Sequence, residues 1–198
     1  MTYDTIQGFL ENLNIEVFTE SDLPADYNTI WKDCYEEVQL AKILNNKVDK
    51  DIADKAIKYL SRRGHLLCMI AENFGCKNIA EVGTAEGFQF FSFAHYLSNI
   101  KDSCVYSCDI RDVRKYDYVK KYSDSENVKF VLGNSSDMSD EILKDNRNID
   151  LFWIDGGHDN GEVVYDALRL AKTQSSNPIW IFDDFNERFG CYHDIRFL

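Results

Sequence analysis

Five short apolar runs between residues 78 and 183, each leading into a helical pattern or a polar turn, constrain this chain more than anything else in it. They are Asn78 to Val82 (NIAEV), Cys104 to Ile110 (CVYSCDI), Val128 to Leu132 (VKFVL), Ile149 to Asp155 (IDLFWID) and Pro178 to Asp183 (PIWIFD). Helical patterns fill the gaps: Gly87 to Leu97, Val113 to Tyr122, a short one ending near Lys144, and Asn160 to Lys172. A strand that is apolar at nearly every position must be covered on both faces, and helices between parallel strands provide that cover. The spacing therefore predicts a doubly wound α/β core with a mainly parallel sheet over residues 76–198.

Of residues 1–75, residues 1–23 are mixed, and from Tyr27 to Gly75 the chain carries helical spacing instead. Ile30, Trp31, Cys34, Val38 and Ala41 recur at helical intervals from Tyr27 to about Leu44. Asp49 then precedes Ile52, Ala56, Ile57 and Leu60, and a third helix, roughly His65 to Phe74, is stopped by Gly75. The expectation is an N-terminal helical extension on a chain that forms a single domain overall, long enough at 198 residues to bury a full core.

Charge and cysteine usage exclude several function classes. Thirty-four acidic against 22 basic residues give a formal charge of −12, which repels nucleic-acid phosphate. The most basic stretch, Arg111 to Lys121, contains two aspartates and reads as a solvated helix face. The first residues, MTYDTIQGFLENLN, lack a basic segment followed by an apolar one, and no apolar run is long enough to span a bilayer. Both features point to a cytoplasmic protein with no membrane partner. The six cysteines fit no zinc spacing and read as reduced, mostly buried thiols.

Each apolar run ends in something polar, and in sheets of this kind ligands bind at the carboxyl ends of the strands. After the first run come Glu81, Gly83 and Gly87 in the pattern E-x-G-x-x-x-G; Asp109 closes the second, 22 residues beyond Gly87. An acid there suits the two hydroxyls of a ribose, which nicotinamide cofactors and S-adenosylmethionine share. A pyrophosphate needs G-x-G-x-x-G and would be repelled by Glu81, whereas a sulfonium and an ammonium are favoured by it. The adenosyl cofactor is the better match.

At this point the chain resembles the class I S-adenosylmethionine-dependent methyltransferases, from about Gly64 to Asp184. The resemblance implies a Rossmann-like fold. EVGTAEG, which includes Thr84 and Ala85, looks like the first motif of that class, and Asp109 like its ribose acid. GNSSD looks like the adenine border, which carries over Ser136 and Asp137, and Gln89 falls where catechol-type members place a polar side chain near the methionine carboxylate. Members usually continue past the fifth strand with a helix and two further strands. Those strands are apparently missing here. Without them the edge of strand five needs cover, from another subunit or from the N-terminal helices, and a homodimer is expected.

IDGGH, Asp155 to His158, and FDD, Phe182 to Asp184, sharpen the resemblance. Three carboxylates at adjacent strand ends repel one another unless protons or a metal compensate, and oxygen-only ligation suits magnesium. The pattern is similar to the metal-dependent O-methyltransferases of the catechol and sugar or macrolide-glycoside types. That likeness implies Asp155, Asp183 and Asp184 as cation ligands, with Asp155 also beside the cofactor, and His158 as general base. The acceptor is then a hydroxyl of a small molecule, such as a sugar or sugar-bearing metabolite. Rival readings are a metal-free enzyme with a nitrogen or carbon acceptor, a catalytically silent cofactor-binding module, and a nicotinamide oxidoreductase. In bland terms Asp155 caps a turn, Asp183 and Asp184 form a solvated strand end, and His158 bonds to backbone. His65, His95 and His193 read as structural, and Trp31, Trp153 and Trp180 as core or substrate wall.

Overall fold

The computed structural model describes Arg63, Gly64, residues 66–114 and residues 127–198. The first two expected helices, His65, Trp31 and the part of the expected Val113 to Tyr122 helix beyond Arg114 lie outside the described residues. The chain divides into two compact units, Met1–Gly75 and Cys76–Leu198. In the first, residues 66–73 are helical, with Met69 packed against Leu66 and Ile70. That helix ends where the glycine stands: Phe74 N–H donates to Ile70 and Gly75 N–H to Glu72.

The second unit is built on a sheet of β1 (Asn78–Val82), β2 (Cys104–Asp109), β3 (Val128–Leu132), β4 (Ile149–Ile154) and β5 (Gln174–Phe182). Its order is β3-β2-β1-β4-β5 and every pairing is parallel. The connections run outward in one direction from β1 to β3 and in the other through β4 and β5. The topological switch therefore falls between β1 and β4, the place at the strands' carboxyl ends where sheets of this kind bind ligands.

Four helices follow the strands in the described residues: α1 (Phe88–Leu97), α2 (Ser135–Lys144), α3 (Glu162–Leu170) and α4 (Cys191–Phe197). Phe90, Phe91 and Phe93 of α1 are all fully buried, so this helix is apolar around most of its circumference. On α3 the buried positions Val163, Asp166, Ala167 and Leu170 repeat at i, i+3, i+4 and i+7. A core of Tyr106, Met138, Ile142, Phe152 and Leu170 joins β2 and β4 to α2 and α3. Each such side chain contributes about 1.5–3 kcal/mol by leaving water.

The structure departs from expectation around the last strand. β5 begins at Gln174 and not at Pro178, because its register to β4 jumps from Ile149–Gln174 to Leu151–Ile179. The irregular stretch accommodates Pro178, which has no N–H to give a ladder. Beyond it, Cys191–Phe197, for which the sequence pattern predicts no helix, form α4. Asp194 of that helix accepts a hydrogen bond from Gly161 N–H at 2.6 Å, tying α4 to the start of α3. Val113 and Arg114 are not helical. No helix among the described residues is long and apolar enough to cross a membrane.

Candidate functional site

The turn after β1 is shaped by its neighbours on both sides. Gly83 and Thr84 N–H both donate to the Cys108 carbonyl, at 2.9 and 3.2 Å, while Asp155 N–H donates to Val82 at 2.9 Å. Gly83 has φ +93°, and a Cβ built there would lie 1.9 Å from the Asp155 carbonyl oxygen. A glycine in such a turn is expected to let a ligand approach the backbone closely. The room is in fact filled by the end of β4, which brings Asp155 against the turn. Gly87 N–H closes on the Thr84 carbonyl at 2.8 Å and launches α1. Ala85 adopts φ +46°, a conformation an alanine rarely holds. It is held there by a 2.9 Å hydrogen bond from its N–H to Asp109 Oδ2.

Carboxylates gather around this turn. Glu81 is buried in β1 and accepts from Ser107 Oγ at 2.5 Å, and Ser107 Oγ lies 2.5 Å from Thr84 Oγ1. Because Ser107 has one proton and gives it to Glu81, Thr84 is the donor in the second contact. The Cys108 thiol at the end of β2 registers the local field. Burial raises its pKa, and the charges of Asp166, Glu81, Asp109 and Asp137 raise it further. Four acids therefore share one neighbourhood at the sheet's carboxyl edge.

Three of the expected cofactor residues have structural duties as well. Asp109 accepts from Ala85 N–H and, through Oδ1, from Arg111 N–H at 3.1 Å. Each of its oxygens keeps a second lone pair with which a ribose hydroxyl could bond. Asp137 accepts from Asn134 N–H at 2.8 Å, and the Asn134 side chain accepts from Ser136 N–H at 2.8 Å, a reciprocal cap on α2. Gln89, in the first turn of α1, is 7% exposed, and its Nε2 has no hydrogen-bond partner among the described residues. A buried amide donor beside the turn suits an anionic ligand group such as an amino-acid carboxylate. The residues at β1, β2 and the first turn of α1 thus fit an adenosyl amino-acid cofactor: lone pairs for ribose, a donor for carboxylate, and negative charge for a sulfonium.

The expected cation ligands stand at the ends of β4 and β5, but they do not close on one point. Among the described residues no group of three or more His, Cys, Asp or Glu side chains could hold a metal ion. Asp183 N–H donates to the Ile154 carbonyl at 3.0 Å, and Asp183 Oδ1 accepts from Asp184 N–H at 2.9 Å. Asp184 Oδ2 lies 2.8 Å from His158 Nδ1. His158 is half-exposed, its ring 5.5 Å from that of Phe189. As arranged, these residues do not fit a magnesium site, and they present a carboxylate–imidazole pair instead.

Sequence reasoning missed Ser107, Asp166 and Phe189. Ser107 became recognisable only once the register placed it directly opposite Glu81. Asp166 did leave a signal, since a carboxylate at the apolar positions of an amphipathic helix is out of place. It accepts from Ser135 Oγ at 2.6 Å, and burial raises its pKa while that bond lowers it. Among the other expected residues, Trp153 is buried in β4, and Trp180 stacks on Phe152 at 3.9 Å. The His95 ring stacks on Phe91, and His193 lies edge-on to Tyr192.

A family model described as a methyltransferase domain matches residues 80–185, more than half of the chain. The chain belongs to that family. The match covers this methyltransferase from β1 to the loop after β5, and so takes in the whole carboxylate edge. A comparison with curated protein sequences finds no match. Among solved structures, an O-methyltransferase from Bacillus cereus in complex with S-adenosylhomocysteine is 16% identical with TM-score 0.59, covering 96% of this chain and 77% of that one. The O-methyltransferase TomG from Streptomyces achromogenes, in complex with S-adenosylmethionine, is 12% identical with TM-score 0.58, covering 100% and 85%. CalS11, a TDP-rhamnose 3'-O-methyltransferase of calicheamicin biosynthesis, is 14% identical with TM-score 0.51, covering 98% and 83%. The fold shared with all three is the Rossmann-like one of class I methyltransferases.

Proposed function

We propose that this methyltransferase transfers a methyl group from S-adenosylmethionine to a hydroxyl of a small molecule, a sugar or sugar-bearing metabolite. The observation that carries the reading is the placement of one half-exposed histidine, His158, on the loop after β4. That strand adjoins the one that carries the glycine turn. Bound cofactor in the TomG and Bacillus cereus structures and the sugar acceptor named for CalS11 support it. In this reaction His158 takes the hydroxyl proton, the oxygen attacks the sulfonium methyl in line, and the carbon–sulfur bond breaks. S-adenosylhomocysteine and a methyl ether leave. Holding donor and acceptor at attack distance supplies much of the remaining acceleration.

A divalent cation such as magnesium is the second reading, favoured by Asp155 and Asp183 standing on the adjacent strand ends of β4 and β5. On that reading Asp155, Asp183 and Asp184 would have to turn toward one point, which they do not do as arranged. We further propose a cytoplasmic homodimer, because the outer edge of β5 pairs with no strand among the described residues. A monomeric mass by light scattering at micromolar concentration would count against the dimer.

The deciding experiment is a methyl-transfer assay with isotopically labelled S-adenosylmethionine against hydroxylated acceptors, nucleotide sugars included, with EDTA or with magnesium. Label on an acceptor oxygen, with His158→Ala slower by about 100-fold or more, is the expected result. Cofactor binding with no turnover on any acceptor points to a silent binding module, and tight NAD binding in its place to an oxidoreductase.

A further inference from the structure

The loops after β4 and β5 meet on His158 from several directions. Its Nδ1 is 2.8 Å from Asp184 Oδ2, its carbonyl accepts from Cys191 N–H at 3.0 Å, and its ring faces Phe189. Asp184 is itself over-determined. Its N–H donates to Asp183 Oδ1 at 2.9 Å, and its carbonyl accepts from Asn186 N–H at 2.5 Å and from Cys191 Sγ at 3.8 Å. These bonds hold it at φ +54°, a left-handed conformation that non-glycine residues seldom keep without a reason.

In that conformation its carboxylate is aimed at one nitrogen of a half-exposed ring. A carboxylate can only accept, so a neutral His158 must carry its proton on Nδ1, leaving the lone pair on Nε2. Asp184 Oδ2 is turned to that N–H, and no group of three or more ligands is gathered around it among the described residues, so the arrangement serves the ring rather than a cation.

Building on the methyl-transfer reading, we propose that Asp184 is a positioning residue for His158: it fixes the ring and its tautomer so that Nε2 receives the acceptor's proton, and it is not a cation ligand in this chain. The family pattern would make it a ligand, so the two roles can be separated by measurement.

The test is nitrogen-15 NMR of the full-length protein labelled at histidine, with His158 assigned by its loss in His158→Gln. The expected wild-type ring is the Nδ1–H tautomer above neutral pH, reverting in Asp184→Ala to the Nε2–H form preferred by free imidazole. Asp184→Asn tolerates the left-handed backbone and keeps the fold. It is expected to lower kcat about 100-fold with the KM for S-adenosylmethionine unchanged within twofold. Titration calorimetry with magnesium chloride in the presence of S-adenosylhomocysteine is expected to give the same trace for wild type and Asp184→Asn. An Nε2–H ring in the wild type, or magnesium binding that disappears in Asp184→Asn, overturns the proposal. The tautomer needs no acceptor. A protein with the Nδ1–H ring that methylates nothing therefore overturns the functional reading while supporting the assigned position of His158.

Discussion

Ser107 Oγ in β2 donates a 2.5 Å hydrogen bond to Glu81 Oε2, and the register sets the two residues directly opposite each other in the sheet. A buried carboxylate is costly unless donors meet it, and this serine is one of the donors that let an acid stand at the end of a central strand. Ser107→Ala is expected to lower stability by about 1–3 kcal/mol, with a fall in Tm of roughly 2–4 °C per kcal/mol. Weaker S-adenosylhomocysteine binding should accompany it, because Thr84 of the glycine turn loses its acceptor. Thermal melts and calorimetry check both; an unchanged Tm would show that Ser107 does not carry the Glu81 charge.

Gly83 and Gly161 separate two reasons for glycine. Both have positive φ, +93° and +88°, but a Cβ at Gly83 would sit 1.9 Å from the Asp155 carbonyl, and at Gly161 it would only touch the Tyr165 ring at 3.4 Å. Gly161→Ala should cost about 1–2 kcal/mol, the backbone term alone. Gly83→Ala should cost more than about 3 kcal/mol, since β1 and β4 must also move apart. Urea unfolding of the two variants gives the comparison, and equal losses would mean that the strand ends yield freely.

Much of this was legible before any coordinates. Near-continuous apolar strands and intervening helices specify a parallel sheet, and those apolar runs together with helical spacing located β1 to β4 and α1 to α3 because burial on those elements follows local sequence. What was not legible depends on contacts across the fold. The bulge in β5 arises from its pairing with β4, and α4 is held by Asp194 reaching back to Gly161, neither of which leaves a periodic trace. The same holds in the site. Acids at strand ends could be placed on one edge from sequence, but not whether Asp184 would face a cation or His158. That choice rests on a left-handed residue in a loop with no pattern of its own.

Asp145 and Asp166 give the stability opposite pH dependences. Burial alone would raise the Asp145 pKa, but the hydrogen bonds from Lys129 and from Tyr106, the latter at 2.6 Å, outweigh it and leave the group below its ordinary value. Its contribution is therefore complete above the unfolded value of about 3.9 and is lost as pH falls through the lower native value. Wild type and Asp145→Asn should differ at pH 6 and converge in strong acid. Asp166 is raised by burial, so its carboxyl favours the fold when protonated, and that favour fades as pH rises through the native value. Asp166→Asn should accordingly gain on wild type toward neutral pH. Denaturant unfolding from pH 3 to 7 tests both signs.

Cys76, Cys104, Cys108 and Cys191 are free and buried, and all four thiols are raised in pKa, Cys76 to about 12. Desolvation is the largest cause in each case; acidic neighbours add to it at Cys76, Cys108 and Cys191, while a Tyr106 hydrogen bond and the charges of Arg147 and Lys129 oppose it at Cys104. Since the thiolate is the reactive form, these residues should resist brief iodoacetamide treatment of the native protein and label fully in denaturant. Peptide mass spectrometry reads each site separately, and rapid native labelling of Cys108 would show the carboxylate edge to be open behind the strand.

Gln89 should reveal a conflict between stability and binding. Its Nε2 is buried with no hydrogen-bond partner among the described residues, a state that costs the folded protein until an acceptor arrives. Replacing it by leucine removes the stranded donor and keeps the volume, so Gln89→Leu should raise the stability of the ligand-free protein by about 1 kcal/mol. It should also weaken S-adenosylhomocysteine binding by about tenfold, the loss of one hydrogen bond to a charged group. Opposite movements of the two quantities are the signature of a residue kept for its ligand. Thermal shift measured with and without S-adenosylhomocysteine reports both at once: the unliganded Tm rises and the ligand-induced increment shrinks. If the unliganded Tm falls and the increment is unchanged, Gln89 is a packing residue and the methionine end of the cofactor is held elsewhere.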